Sequence, residues 1–309
     1  MRKIILLILL IGFSIALGIS WKSLVSKKSG ETVSSDKPRQ EILRFALVAD
    51  SENANELLTK ALNQAKGSGV NFVIGLGDWS NVGTTKELTD VKKIFDNSGL
   101  VYYVTAGDHD LWDSRNRGDE ALTNFKQIFG NPSQSFTKEN IHFVILDNSD
   151  IYKGMQDENW KKLDTETAGP VASFPPVSAR SDQNSMQDQH SIFELRAAGN
   201  PSTGATRRLT FVFAHKTPFH PQSAHVMGED TPKVAEQAKR LMNLLENAKV
   251  NGFFSGDLHF FAQFNSPGGN VKMTTIGAID SERNFQGPRF AIVTVYGDYS
   301  WNVEDIEIR

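Results

Sequence analysis

The 309-residue sequence contains no cysteine, and its formal net charge is only −3 at pH 7. The lack of cysteine excludes disulfide bonds, thiolate nucleophiles and cysteine-ligated zinc. The small net charge gives no broad basic surface of the kind that binds DNA or RNA, so we expect no nucleic-acid partner. With 39% hydrophobic and 22% charged residues, the chain has the composition of a globular protein with one large core or two smaller ones.

An uncharged apolar run extends from Ile4 to Trp21, directly after a basic N-terminus. As a helix with a rise of about 1.5 Å per residue, this run would span roughly 27 Å, close to the hydrocarbon thickness of a bilayer. Its length favours a membrane anchor, whereas Ala16-Leu17-Gly18 offers small residues for cleavage of a signal peptide. Both alternatives stay open for residues 1–21. In either case we expect an extracytoplasmic protein, which is secreted or tethered to the membrane by this segment.

Residues 22–42 are rich in serine and lysine and lack hydrophobic periodicity, which is typical of a flexible linker. We therefore expect the folded domain to occupy residues 43–309. Inside it, residues 149–207 form a long polar insertion with one short helix predicted near Asp188–Ala197. A loop of this length within a compact domain is usually functional or disordered. The insertion is either a wall that selects the substrate or a disordered loop.

Short apolar runs rich in β-branched and aromatic residues predict strands in this domain. The first five to consider are LRFALVA, VNFVIGL, LVYYVTA, LTFVFA and VNGFFS. Helical spacing of apolar residues predicts helices in NANELLTKALNQAKGSG, TTKELTDVKKIFDNSG and TPKVAEQAKRLMNLLENAK. The second helix is expected to end at Gly99. The third is expected to have Thr231 as its N-cap and Pro232 in its first turn. This alternation predicts an α/β domain with a largely parallel sheet.

Four more segments also predict strands. IHFVILD forms one further strand, and the tail contains GGNVKMTTIGAI, RFAIVTVYG and SWNVEDIEIR without intervening helices. We expect the three tail strands to pair antiparallel at one side of the sheet. A glycine-rich phosphate loop follows none of the predicted strands, which argues against a nucleotide-binding module.

Acidic and histidine side chains follow each of the first five predicted strands. They are Asp50 and Glu52, Asp78, Asp108-His109-Asp110, His215, and Asp257 with His259. In open α/β sheets the ligand crevice lies along the carboxyl ends of the strands. Carboxylates gathered there repel one another, and bound cations are the natural compensation. The set therefore predicts a metal site.

The order of these motifs, D-x-x, G-D, G-x-H-D, H and G-x-x-H, resembles that of the calcineurin-like metallophosphoesterases. The stretches FVILDNS, FAHKTP and LLENAKVNGFFSGDLHFF are similar to the same family, and the resemblance covers roughly residues 44–309. It implies a four-layer α/β-β/α sandwich with two divalent metal ions at the strand ends.

The resemblance also implies roles for individual residues. One ion, in what we call the first site, would be held by Asp50, Glu52, Asp78 and His259. The other, in the second site, would be held by Asp78, Asp108, His215 and Asp257. A hydroxide bridging the two ions would attack phosphorus in line with the leaving group. His109 would protonate the leaving oxygen, and Asp110 would orient His109.

Three positions depart from the usual pattern of that family. Glu52 and Asp257 stand where histidines are expected, and Asp108 stands where an asparagine is expected. All three side chains can still bind metal, but each added carboxylate about 5 Å from a phosphate charge costs roughly 3 kcal/mol at an effective dielectric of about 20. Carboxylates favour hard cations over Zn²⁺, so we expect Mn²⁺ first, with Mg²⁺, Ca²⁺ or Fe as alternatives.

Two functions remain open at this point. The first is an exported metal-dependent phosphoesterase that acts on a small-molecule, glycan-linked or lipid-linked phosphoester. The second is a non-catalytic domain that keeps a metal such as Ca²⁺ for stability or for binding a partner or glycan. His109 and Asp110 favour the enzyme, because a structural site has no use for a positioned acid, whereas the added carboxylates favour the alternative.

Several weaker candidates complete the prediction. His142 lies within a strand and is expected to pack, whereas His220 and His225 are close enough in sequence to His215 to line a pocket. Lys216, Arg115 and Arg117 could neutralise substrate charge, but we expect each of them to be a solvated surface residue.

Overall fold

The computed structural model describes residues 39–167, 209–229 and 231–309. The apolar run at residues 4–21, nearly all of the linker, the helix near Asp188–Ala197 and residues 168–207 of the insertion lie outside the described residues, so those predictions stay predictions. Among the helices that the structure describes, none is both long enough and apolar enough to cross a membrane.

Five strands form the first sheet. They are β1 (Glu41–Val48), β2 (Phe72–Gly75), β3 (Tyr102–Val104), β10 (Arg289–Tyr296) and β11 (Trp301–Glu307), in the spatial order β11-β10-β1-β2-β3. β1, β2 and β3 run parallel, and β10 and β11 pair antiparallel on the other side of β1. The register aligns Val48 with Gly75 and Gly75 with Val104, so the carboxyl ends of the three parallel strands are level.

Six strands form the second sheet. They are β4 (Gln134–Lys138), β5 (Ile141–Ile145), β6 (Leu209–Phe213), β7 (Gly252–Ser255), β8 (Ala262–Asn265) and β9 (Lys272–Thr275), in the order β4-β5-β6-β7-β9-β8. The four central strands are parallel, and β4 and β8 pair antiparallel at the two edges. Phe213 aligns with Phe254, which brings the ends of β6 and β7 to one level.

Six α-helices connect the strands within the described ranges. They are α1 (Asn55–Gly67), α2 (Thr85–Ser98), α3 (Trp112–Asn116), α4 (Thr123–Phe129), α5 (Asp157–Thr167) and α6 (Pro232–Asn247). A short 3₁₀ turn covers His109–Leu111. Three of the helices match the predicted ones, with Gly99 in the left-handed conformation at the end of α2 and Thr231 at the start of α6.

Three apolar layers hold the architecture together. Helices α1 and α2 pack on the first sheet, the two sheets pack face to face, and α5 and α6 pack on the second sheet. Between the sheets lies a phenylalanine cluster of Phe45, Phe72, Phe143, Phe211, Phe213 and Phe254. This arrangement confirms the four-layer α/β-β/α sandwich.

The strand pairing corrects two details of the prediction. The five metal-site strands do not share one sheet, because β1, β2 and β3 belong to the first and β6 and β7 to the second. The tail strands are also divided, because β9 pairs parallel with β7, whereas β10 and β11 extend the first sheet. β4 and β8 were not predicted, because both are partly exposed edge strands without a continuous apolar run.

A capping box fixes the start of α2. Thr84 Oγ1 accepts a hydrogen bond from the Glu87 amide at 3.2 Å, and Glu87 Oε2 accepts one from the Thr84 amide at 2.9 Å. Glu87 Oε1 also accepts from Asn53 Nδ2 at 2.7 Å. Partial burial acts to raise the pKa of Glu87, but the hydrogen bonds from Asn53 and Thr84 outweigh it and lower the pKa.

Substitution of Glu87 by alanine should lower the free energy of unfolding at pH 7 by about 0.5–1 kcal/mol, because the capping box is lost. A carboxylate with a lowered folded-state pKa contributes stability above its unfolded-state pKa of about 4.3 and loses it as the pH falls through the folded-state value. The difference between variant and wild type should therefore shrink in denaturation curves taken below pH 4. Glu236→Ala, on the exposed face of α6, is the control, and an equal loss there would contradict the capping account.

Candidate metal centre

The predicted site residues of both sheets meet at one place. Asp50 follows β1, Asp78 follows β2 and Asp108 follows β3, whereas His215 and Asp257 follow β6 and β7. All five side chains are buried. The loops bond directly to one another, because the Asp50 amide donates to the Gly77 carbonyl at 3.0 Å and the Asp257 amide donates to the Asp50 carboxylate at 3.1 Å.

Most of the predicted metal ligands have left-handed backbone conformations. The φ angles are 53° at Asp50, 39° at Glu52, 55° at Asp78, 69° at Asp257 and 59° at His259. Non-glycine residues rarely adopt positive φ, which costs roughly 1–2 kcal/mol per residue and less for aspartate. Such strain gathers where a ligand must be held in a fixed position. Here it lies at the turn after three different strands.

Three groups of side chains have ligand atoms within 4.8 Å of one another. They are Asp50 with Asp78 and His215, Glu52 with Asp78 and His109, and Asp108 with His215 and Asp257. Asp78 and His215 each belong to two groups, but Asp78, the predicted bridging residue, is absent from the group that contains Asp108 and Asp257. His259 joins none of them, but its Nε2 lies 3.3 Å from Glu52 Oε1. His109 was predicted as an acid rather than a ligand.

Three buried atoms of the predicted ligands have no hydrogen-bond partner among the described residues: His215 Nε2 and Asp257 Oδ2 of the second site, and His259 Nδ1 of the first. Buried polar atoms without a partner are rare and often mark an ion site. Nδ1 of His215 bonds to the Leu76 carbonyl at 2.7 Å, which turns Nε2 toward Asp78 Oδ2 at 3.5 Å. At the first site, His259 contributes an unpartnered nitrogen, and Asp50, Glu52 and Asp78 contribute carboxylate oxygens in two groups that share Asp78. These donors fit a divalent ion.

The charge state of these residues also depends on a cation. Burial raises the pKa of Asp50 well above its ordinary value, and the charge of Asp78 adds to the shift. For His215, burial acts to lower the pKa, but the charges of Asp78 and neighbouring carboxylates dominate and raise it. Both shifts favour a bound proton on Asp50 and on His215, which an ion at the centre would displace.

Lys216 extends into the second site and corrects the prediction that it is a solvated surface residue. Only 6% of it is exposed, and its Nζ donates to Asp108 Oδ1 at 3.0 Å and to Asp257 Oδ1. Burial acts to lower the pKa of Lys216, but Asp257 and Asp108 outweigh burial and raise it. The pKa of Asp257 falls despite its burial, because Lys216 is close. With Lys216 in this position, the second site does not fit a divalent ion.

Two more cations adjoin the centre. Arg283 Nη2 donates to Glu52 Oε1 at 2.7 Å. His225 Nε2 lies 3.4 Å from Asp257 Oδ1, and the hydrogen bond to Asp257 raises the pKa of His225 to about 9. A cleft of about 110 Å³ is lined by both Lys216 and His225 and leads to the second site. His225 therefore lines a pocket, as predicted.

His109 is held at the edge of the centre by contacts that differ from the expected ones. Its Nδ1 bonds to the Asn81 carbonyl at 3.0 Å, and its ring stacks on Trp112 with a centroid separation of 4.1 Å. Asp110 was predicted to orient His109, but its Oδ1 accepts from the Trp79 amide at 3.0 Å and its Oδ2 from the Gly107 amide at 2.9 Å. Asp110 thus ties the β2 and β3 loops together, and the Asn81 carbonyl orients the histidine.

The remaining candidates have structural roles. His142 is buried and pairs with Glu166 at 2.8 Å, which confirms that it packs within the second sheet. His220 packs edge-on against Phe264 with a centroid separation of 4.7 Å. Arg117 pairs with Asp119 at 2.9 Å on the surface, and Arg115 lies over the Tyr152 ring.

Gly107 leaves the space that the Asp78 carboxylate occupies. A Cβ at position 107 would lie 2.0 Å from Asp78 Oδ1 and 2.2 Å from the Asp78 amide nitrogen. We expect Gly107→Ala to weaken Mn²⁺ binding at least tenfold in calorimetric titration, because the side chain or the loop must move. Gly67→Ala is a matched control, because no atom lies within 4 Å of the added Cβ. Equal affinity in the two variants would contradict the assigned role of Asp78.

Comparison with known proteins gives the fold a context. No protein-family profile matches the sequence, and no curated protein matches it. A dimetal phosphatase from Danio rerio aligns over 87% of this chain and 99% of its own, with 18% identity and a TM-score of 0.53. A purple acid phosphatase from seeds of yellow lupin (Lupinus luteus) aligns over 87% of this chain, with 13% identity and a TM-score of 0.53.

The two alignments concern the fold. This chain spans 52% of the lupin enzyme and 99% of the Danio rerio phosphatase. At such low identity the likeness shows shared architecture and does not by itself transfer an activity. The chain has the fold of the calcineurin-like metallophosphoesterases, as its motifs predicted.

Proposed function

We propose that this protein is a metal-dependent phosphoesterase. The observation that carries the proposal is the convergence of buried carboxylate and histidine side chains from five strand ends, with five predicted ligands in the left-handed conformation. Strain repeated at one place, beside buried atoms without hydrogen-bond partners, indicates a site built around an ion. The fold shared with two phosphatases supports phosphoester chemistry.

The first site would hold the ion through Asp50, Glu52, Asp78 and His259. A divalent ion there supplies a Lewis acid for a phosphoryl oxygen and lowers the pKa of water. The backbone amide of His109 donates to Asp78 Oδ1 at 3.0 Å, which holds the Asp78 carboxylate in place. Mn²⁺ is our first choice of ion, because oxygen ligands outnumber imidazole in this set.

His109 is our proposed acid. A ring nitrogen of His109 lies within 4.8 Å of ligand oxygens of Glu52 and Asp78, and its Nδ1 is already bonded to Asn81. Nε2 is therefore the atom that would give a proton to the leaving oxygen as its bond to phosphorus breaks and water oxygen bonds to phosphorus. The ring is partly exposed, so a substrate can reach it.

The charges of the centre favour a diester over a monoester. A dianionic monoester would face the full set of carboxylates, whereas a monoanionic diester meets about half the repulsion. Lys216 and His225, which line the cleft, offer positive charge to one phosphoryl oxygen. We propose a phosphodiester of a small molecule, glycan or lipid as the substrate class. The apolar run at residues 4–21 supports an extracytoplasmic place of action.

Hydrolysis assays test the proposal directly. Purified protein should hydrolyse bis(p-nitrophenyl) phosphate at least tenfold faster than p-nitrophenyl phosphate when supplied with Mn²⁺, and EDTA should abolish the reaction. Mg²⁺, Ca²⁺ and Fe²⁺ are compared in parallel. Asp78→Asn should lose the activity, whereas Asp164→Asn, on the exposed face of α5, should keep it. Bound metal without turnover of either ester would instead support a non-catalytic, metal-stabilised binding domain.

A further inference from the structure

We infer that the Lys216 ammonium is the resident cation of the second site, so that the centre binds one divalent ion per chain instead of two. This inference deepens the proposed function and rests on it for the ion of the first site. It comes from the placement of one buried lysine among the very oxygens that a second ion would need.

The ammonium already bonds to one oxygen of each of the two second-site carboxylates. Nζ donates to Asp108 Oδ1 at 3.0 Å and makes a closer contact with Asp257 Oδ1. The same two carboxylates, with His215, form the group that could hold an ion there. An ion bonded to these oxygens at about 2.1 Å would lie directly against a positive charge. The two cations therefore compete for one position.

The backbone of Lys216 is fixed, so the ammonium is not a mobile surface group. The Lys216 amide donates to Asn148 Oδ1 at 2.9 Å, and Asn148 Nδ2 donates to the Lys216 carbonyl at 2.7 Å. Asn148 is itself buried. This reciprocal pair links the ends of β5 and β6 and starts the lysine side chain from a rigid point, next to the buried His215.

Each carboxylate that departs from the pattern of the resembling family has a basic partner within this chain. Asp108 and Asp257 both contact Lys216, and Glu52 contacts Arg283. Two side-chain cations thus contact the three added carboxylates and offset part of their negative charge. Lys216 also lines the cleft, which places its charge where a phosphoryl oxygen would enter. The lysine would then supply the positive charge toward the substrate that a second ion would otherwise supply.

Metal counting tests the inference without any need for turnover. Metal-stripped protein is titrated with Mn²⁺ in a calorimeter, and bound ions are counted by native mass spectrometry. We expect one ion per chain for the wild type and for Lys216→Arg. Lys216→Gln should take up a second ion, because the oxygens of Asp108 and Asp257 become available. Lys239→Gln, an exposed residue of α6 with the same change in charge, should stay at one ion.

Two ions of similar affinity in the wild type would overturn the inference, and so would a Lys216→Gln protein that still binds one. The wild-type count needs no variant, so misfolding of Lys216→Gln does not remove the test. One ion without hydrolysis would support the inference and contradict the proposed function. Two ions with hydrolysis would do the reverse, and a wild type that binds no ion would contradict both.

Discussion

Replacement of Lys216 by alanine is expected to lower the free energy of unfolding of the metal-free protein by about 3–5 kcal/mol at pH 7.5. The lysine is buried between Asp108 and Asp257, and its removal leaves two carboxylates in the interior without their cation. Breaking a buried pair by removing one partner is costly because the other charge cannot return to water. Urea denaturation in the presence of EDTA measures the loss.

Two further measurements separate this effect from a general packing defect. Excess Mn²⁺ should stabilise Lys216→Ala more than the wild type, because an ion can replace the ammonium.

The pKa of Asp108 and of Asp257 is lowered in the folded protein, so their contribution to the free energy of unfolding is present above about pH 4 and is lost as the pH falls through the folded-state values. Without Lys216 that lowering is reduced, so the difference in free energy of unfolding between variant and wild type should stay constant down to about pH 4 and narrow below it. Lys239→Ala, an exposed control, should change stability by less than about 1 kcal/mol. A loss in Lys216→Ala as small as in the control would contradict the buried-pair account.

Replacement of His109 by alanine is expected to lower kcat by about 10²–10⁴-fold, which is the usual contribution of a general acid. Metal content should not change, because the proposed first-site ligands remain. The loss should be larger for an alkyl phosphodiester than for a nitrophenyl one, since nitrophenolate leaves without a proton. Steady-state kinetics on the two substrates, with metal analysis of each preparation, measures both effects.

His220→Ala is the matched control for the acid. His220 packs on Phe264 outside the metal groups, so its removal should leave kcat nearly unchanged. If His109→Ala lowered turnover of both esters equally, the histidine would act by holding the loop through Asn81 and Trp112. That result would remove the acid from the mechanism.

The positions of the site residues could be predicted because each is defined by its place directly after an apolar strand segment in the sequence. Each of Asp50, Asp78, Asp108, His215 and Asp257 follows an apolar run, and parallel strands place such residues at one edge. What could not be predicted is which of the strands share a sheet. β1 and β6 are both apolar runs buried in the interior, and their partners are decided by contacts between residues far apart in the chain.

The counter-cations were missed for a related reason. A lysine directly after a predicted histidine ligand is ordinarily solvated. Contacts with residues far apart in the chain, Asn148, Asp108 and Asp257, hold Lys216 inside. Arg283 reaches Glu52 from a turn before β10, which no spacing rule connects to β1. The sequence did contain one indication, because buried carboxylates added to a metal site require positively charged groups nearby. That indication did not identify which basic residues lie beside the carboxylates.

The role of Asp110 shows a third limit. The resemblance to the metallophosphoesterases implied that Asp110 orients His109. The 3₁₀ turn over His109–Leu111 instead directs Asp110 toward the Trp79 and Gly107 amides, where it is fully buried. Burial raises the pKa of Asp110 to about 7, and the charge of Asp78 adds to the shift. Neighbours in sequence need not be partners once the backbone turns.

Anomalous diffraction at the manganese edge, from crystals grown with excess Mn²⁺, tests the central claim most directly. One peak should lie among Asp50, Glu52, Asp78 and His259, with the Lys216 ammonium still bonded to Asp108 and Asp257. A second peak of similar height among Asp108, His215 and Asp257, with Lys216 displaced from them, would contradict the account.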